Sequence, residues 1–171
     1  MADLGPTSPL AVMSAAFSEA CAQSDGVLGI QERPFAAQVT LRIDPDSATG
    51  LAVADALSLR LPVSPCTVAG GESLEALWLG PDEWLLVSFE QTAGAIERTV
   101  RSVTARGTDD PVAVVDVSAQ RTIVELSGPA VRTVLARGCA LDLHESVFSA
   151  GCCAQTLLAQ APVILQPTDT D

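Results

Sequence analysis

The chain has 171 residues, 48% of them hydrophobic and 18% charged, with a formal charge of −12. That length suits one compact domain, and the apolar fraction supports a sizeable core and excludes global disorder. A balance this acidic excludes nucleic acid and anionic membranes as natural partners, because neither finds the cations it needs, and makes a basic protein surface the fitting counterpart. No apolar run reaches the roughly 18 residues of a membrane span. The N-terminus carries Asp3 where a signal peptide needs cations, so a soluble, cytoplasmic protein is expected. The five cysteines, Cys21, Cys66, Cys139, Cys152 and Cys153, contain no Cys-x-x-Cys pair and read as buried small hydrophobes in a reducing compartment.

In chain order, Pro9 to Cys21 predicts a short helix with Val12, Met13 and Phe17 on one face. Asp25 to Pro34 reads as loop, punctuated by Gly26, Gly29 and Pro34. Residues 1–34 are thus expected to form an N-terminal arm, irregular and suited to lying on a partner. From Ala37 to Ile43 the apolar positions Val39, Leu41 and Ile43 alternate, the period of a half-buried strand. Asp44-Pro45-Asp46-Ser47 then supplies a turn and a helix cap. The helix it starts runs to about Leu59, with Leu51, Ala54 and Leu57 facing inwards. Leu74–Leu79 and Trp84–Phe89 flank Gly80-Pro81-Asp82-Glu83 and predict a hairpin. Thr92–Ala105 predicts a helix with Ile96, Val100 and Val103 inside, ended by Gly107.

Val112–Val117 and Arg121–Leu126 form a second pair of strand signals around Ser118-Ala119-Gln120. Ser127-Gly128-Pro129-Ala130 then opens a helix to about Arg137, with Val131, Val134 and Leu135 buried and Gly138 as a left-handed stop. Cys153 to Gln166 holds two short strand signals broken by Ala161-Pro162. The order predicts an α+β fold of antiparallel sheets with helices packed on them, residues 35–171 forming one domain. Leu77-Trp-Leu-Gly-Pro and Val124-Glu-Leu-Ser-Gly-Pro echo each other, suggesting two similar lobes, 35–107 and 108–171.

The sequence holds few groups suited to chemistry. The single histidine, His144, could alone serve a triad, and no Gly-x-Ser-x-Gly elbow accompanies it. Cys139, His144, Cys152 and Cys153 invite a zinc reading, but adjacent cysteines on a strand point to opposite faces. Buried thiols beside a loop histidine are the plainer account. No dinucleotide fingerprint or phosphate loop is present, and Gly70-Gly71 reads as a turn. The adjacent acids Asp82-Glu83 and Asp109-Asp110 read as solvated turn residues rather than an opposed catalytic pair. We therefore expect no catalytic, cofactor-binding or metal-binding residues on this chain. Trp78 and Trp84 flank the hairpin turn; core packing is their default role, and an interface anchor is the alternative.

Two stretches carry a family likeness. One is Leu77-Trp-Leu-Gly-Pro-Asp-Glu-Trp-Leu-Leu-Val. The other is Val115-Asp-Val-Ser-Ala-Gln-Arg-Thr-Ile-Val-Glu-Leu-Ser-Gly-Pro-Ala-Val-Arg-Thr-Val-Leu-Ala-Arg-Gly-Cys-Ala-Leu-Asp-Leu-His, followed by Phe148 and Gly151-Cys-Cys-Ala-Gln-Thr-Leu-Leu. Together they resemble the gamma subunit of heterotetrameric sarcosine oxidase. The resemblance implies a fold similar to the folate-binding part of aminomethyltransferase. It also implies a non-catalytic, structural role beside alpha, beta and delta subunits. FAD, FMN, NAD, tetrahydrofolate and zinc would then reside on those partners. The implied reaction is oxidative demethylation of sarcosine to glycine, giving hydrogen peroxide and 5,10-methylenetetrahydrofolate or formaldehyde. Similar subunits are expected to continue beyond Asp171 into a further strand and helix. The alternative is a stand-alone folate-binding protein of the aminomethyltransferase-like class, with Asp116 or Glu125 holding the pterin.

Overall fold

The computed structural model describes residues 7–70, 73–105, 107 and 110–168. Gly71, Asp109 and the two chain ends lie outside the described residues. The elements are α1 (Ser14–Gln23), β1 (Gly29–Arg33), β2 (Ala37–Arg42), α2 (Ala48–Ala56), β3 (Val68–Gly70), β4 (Glu75–Gly80), β5 (Glu83–Ser88), α3 (Ala93–Thr104), β6 (Ala113–Asp116), β7 (Ile123–Ser127), α4 (Val131–Leu135), β8 (Ala154–Leu158) and β9 (Ala161–Leu165). The expected α+β class with antiparallel sheets is what the chain adopts.

The centre is a five-stranded sheet ordered β3-β4-β5-β2-β6, with every neighbouring pair antiparallel. Because successive strand residues point to opposite faces, the sheet has two apolar surfaces. Val39, Leu41, Ala76, Trp84, Leu86 and Val114 line one, and α2 and α3 cover it with Val53, Leu57, Ile96 and Val100. Leu77, Leu85 and Val87 line the other, covered by Cys153, Ile123 and Ile164.

Local capping sets the helix phases. The Ser47 hydroxyl accepts from the Gly50 amide at 2.9 Å, and Thr92 caps α3 by accepting from Ala95. α3 buries Ile96 and Val100 completely, as its periodicity predicts, and Gly107 follows it at φ +84°. α2 is rotated from the expected stripe. Gly50 and Val53 are buried, whereas Leu51 is 62% exposed. The reason is close approach: a Cβ at Gly50 would overlap the Asp44 carbonyl, so this face alone can lie against the 44–45 turn.

Four further expectations are corrected. Asp25–Pro34 is not wholly loop: it contains β1, which pairs with β7 from Gly29↔Ser127 to Arg33↔Ile123. Val12 is 87% exposed and Met13 42%. The inward stripe of α1 is Phe17, Ala20 and Cys21. Second, β6 and β7 are strands but not partners of each other. β6 adds to β2, because the intervening residues are captured by buried Gln38. Its amide donates to the Ser118 hydroxyl at 3.0 Å, its side chain donates to the Arg121 carbonyl at 3.2 Å, and its carbonyl accepts from Val117 at 2.8 Å. That crossing delivers Ile123 to the second apolar surface and β7 to β1.

Third, α4 spans only Val131–Leu135 and Ala130, not Ser127, is its cap residue. Val134 is 43% exposed. Gly128, at φ +98°, takes the left-handed conformation in this segment, and Gly138 does not. A Cβ at Gly128 would sit 2.6 Å from the Val27 carbonyl. Gly80-Pro81 lies in a hairpin turn and Gly128-Pro129 leads into a helix, so the two Gly-Pro echoes occupy different structures. Fourth, the tail reverses at Ala159-Gln160, with Ala159 at φ +55°. Pro162 lies inside β9 opposite Leu157. β9 is an edge strand, where the missing proline N–H is not needed.

Candidate functional site

The two tryptophans are direct cross-strand partners in the β4–β5 register. Trp84 is fully buried, and its indole Nε1 donates to the Pro62 carbonyl at 2.8 Å. Trp78 is half-buried against the same core, and its buried Nε1 has no hydrogen-bond partner. Within this chain, Trp84 is a core residue and Trp78 lies at the core's margin.

The structure separates the groups that the sequence clusters. His144 is exposed, with Nδ1 2.8 Å from the Ser146 hydroxyl. Cys139 is buried, with its thiol 3.8 Å from the Thr156 hydroxyl. Cys152 pairs with Thr67 in an isolated bridge, while Cys153 enters the second core. Cys153 donates to the Thr67 and Trp78 carbonyls at 3.4 and 3.5 Å. Burial pushes its thiol up to about 11, so it stays protonated and unreactive at neutral pH. Among the described residues no three His, Cys, Asp or Glu side chains are grouped to hold a metal ion.

The two candidate pterin acids lie on different sheets and have partners within the chain. The Ser118 hydroxyl, then its amide, donate to Asp116 at 2.6 and 2.9 Å and hold the carboxyl below the ordinary carboxylate range. Glu125 forms an ion pair with Arg33 at 2.6 Å. Glu32 accepts from the hydroxyls of Ser8 and Thr122, the first being the larger cause of its lowered pKa.

What the sequence does not single out is a patch where β1 turns into β2. Phe35 is 64% exposed and Phe89, at the end of β5, is 52% exposed. Arg33 stacks over Phe89, 4.7 Å from the ring centroid, while its other contact is Glu125. Phe35 has φ +64°. It follows Pro34 in the tight connection between β1 and β2, the turn position where Gly or Asn is favoured. Only the preceding Pro34 hints at a turn; that a phenylalanine would take the positive-φ site has no local signal. Beside Phe89 a shallow recess of about 190 Å³ is lined by Leu74, Glu75, Ser88 and Glu90, among others. A second cavity of about 570 Å³ lies where Ser58, Ser73, Gln91 and Thr99 converge. Neither Asp116 nor Glu125 lines either of them.

Residues 42–171 match the family model described as "Sarcosine oxidase, gamma subunit family". The chain is 42% identical over 154 residues to the sarcosine oxidase subunit gamma of Corynebacterium sp. (strain P-1), covering 88% of this chain and 73% of that one. The subunit gamma from Corynebacterium sp. (strain U-96) is 36% identical over 162 residues, covering 94% and 77%. Among solved structures, a chain of the heterotetrameric sarcosine oxidase from Corynebacterium sp. U-96, in complex with pyrrole 2-carboxylate, superposes with a TM-score of 0.80. It is 34% identical, and the match covers 94% of this chain and 80% of that chain.

Proposed function

We propose, from the premise that this chain belongs to the sarcosine oxidase gamma subunit family, that it is a non-catalytic structural subunit of a heterotetrameric oxidase acting on sarcosine. In this reading the alpha, beta and delta subunits carry FAD, FMN, NAD, tetrahydrofolate and zinc. The assembly, in the cytoplasm, oxidatively demethylates sarcosine to glycine, reduces oxygen to hydrogen peroxide, and passes the one-carbon unit to tetrahydrofolate or releases it as formaldehyde. The observation that carries the reading is the likeness, along nearly the whole chain, to a chain of a heterotetrameric sarcosine oxidase.

The same reading includes two lobes, 35–107 and 108–171, on the plan of the folate-binding part of aminomethyltransferase. Its support is the β8–β9 ladder, a sheet of its own; β6 crosses from the second lobe to add to β2 of the first. Residues 1–34 count as the N-terminal arm, whose β1 pairs with β7 of the second lobe. Of the two tryptophans, half-buried Trp78 is the one placed to reach an interface.

Co-expression with the alpha-, beta- and delta-like chains of the same source tests the proposal. A stoichiometric four-chain complex with sarcosine-dependent peroxide release, which fails to assemble when this chain is omitted, is the expected result. A fully active three-chain complex that never incorporates this chain overturns it.

A further inference from the structure

We infer that Phe35 and Phe89 are the anchor by which this chain docks onto a larger subunit of its complex, into an apolar recess rimmed by arginine or lysine; this rests on the assembly proposed above. The two rings sit on the turn between β1 and β2 and at the adjacent end of β5, 64% and 52% exposed. A phenylalanine this exposed gives an isolated chain little hydrophobic stabilisation. At Phe35 the backbone is also held at φ +64°, a conformation in which a bulky residue is a genuine outlier. The fold itself would favour glycine at that site. Strained and solvent-exposed, Phe35 contributes little within the chain, and burial by a partner supplies its role.

The rim indicates which partner. Glu75 and Glu90 line the same recess as Phe89, and Glu125 on β7 pairs with Arg33 over that ring. Arg33, the cation at the patch among the described residues, is already stacked on Phe89 and paired with Glu125. That stacking orders the Phe89 side chain before any partner arrives, which lowers the entropy lost on docking. The surface offered is thus one ring ordered by Arg33 and a second, exposed ring in an acidic frame, on a chain of net charge −12. A second copy would set one acidic frame against another. A basic frame around an apolar recess complements it, and like-charge repulsion disfavours self-docking.

The test measures binding of the full chain to the complex of its other subunits, alongside thermal melting of the free chain. Phe35→Gly removes the ring and relieves the backbone. The free chain should melt at the same temperature or higher while its affinity falls about tenfold or more, the loss typical of a central aromatic anchor. A residue that merely stabilised the fold would lower the melting temperature instead. Phe89→Ser, which leaves the Phe35 backbone untouched, should weaken binding similarly, and added salt should weaken the wild-type complex. Leu51→Ser is the control: it is 62% exposed on α2, across the sheet, and should bind within about twofold of wild type. Folded Phe35→Gly and Phe89→Ser variants that bind like wild type overturn the inference while leaving the gamma-subunit reading intact. Self-association of the wild type that these substitutions abolish also overturns it, by making a second copy the occupant. Failure of the wild-type chain to bind the other subunits removes the gamma-subunit reading first, and this inference with it.

Discussion

Trp78 and Trp84 face each other across the β4–β5 register, yet only Trp84 has a partner for its indole nitrogen, the Pro62 carbonyl. Replacing each with phenylalanine should separate the two. Trp84→Phe removes a buried hydrogen bond, leaves Pro62 unpaired and shrinks a fully buried side chain, at a cost of about 2–4 kcal/mol. Trp78→Phe removes an N–H that already lacks a partner and should cost less than about 1.5 kcal/mol. Urea unfolding of the two variants checks the order, which equal losses would contradict.

Gly50→Ala sets helix propensity against packing. Alanine is favoured over glycine inside a helix by about 1 kcal/mol. Here the added Cβ overlaps the Asp44 backbone carbonyl, which cannot move without displacing the turn that caps α2. A net destabilisation of about 2–3 kcal/mol is expected, measured as a drop in melting temperature. A more stable variant would show that the turn yields.

Arg132 organises the segment between α4 and β8. One guanidinium nitrogen donates to the carbonyls of Leu143 and, at 2.9 Å, Phe148. Arg132→Leu leaves both without that donor and should cost about 1–3 kcal/mol. Faster amide exchange and proteolysis should follow, confined to residues 139–151. Exchange unchanged in that segment would mean other contacts hold it.

The alkaline limb of stability should report on Cys153. Its thiol, at about 11 when folded against an ordinary 9.0, binds its proton more tightly in the folded state. That stabilisation is complete below pH 9 and is lost as pH rises through about 11, to the extent of roughly 2–3 kcal/mol. The chain contains neither tyrosine nor lysine, so few other groups titrate in this window. Cys153→Ala should flatten the fall between pH 9 and 11 in unfolding measurements. In native protein exposed Cys66 should react with a thiol reagent well before Cys153. The acid limb has the opposite sign. Glu32 and Asp116, both held low by hydroxyl donors, contribute above the ordinary carboxylate range and lose that contribution as pH falls through their folded values.

The hairpin Glu75–Ser88, strand Ala37–Arg42 and helix Ala93–Thr104 were legible because their signals are local. A turn proline between two apolar runs, alternation at Val39 and Leu41, and Ile96 with Val100 one turn apart each report burial within a dozen residues. The helix phase at Leu51 was not legible, since it depends on a backbone contact between Gly50 and Asp44. Of the candidate interface residues, Trp84 is committed to the core by the Pro62 carbonyl, 22 residues earlier, while Phe35 and Phe89 stand exposed without any marking motif.

By itself, then, the sequence determined the α+β class, the positions of most elements and the family, because periodicity, turn chemistry and motif are written in neighbouring residues. The tertiary structure alone decided that β6 joins β2 while β7 joins β1. It also decided that a phenylalanine would take the turn position suited to glycine. Both follow from long-range contacts: Gln38 draws residues 117–121 across the sheet, and pairing over nearly a hundred residues has no signature in either strand alone.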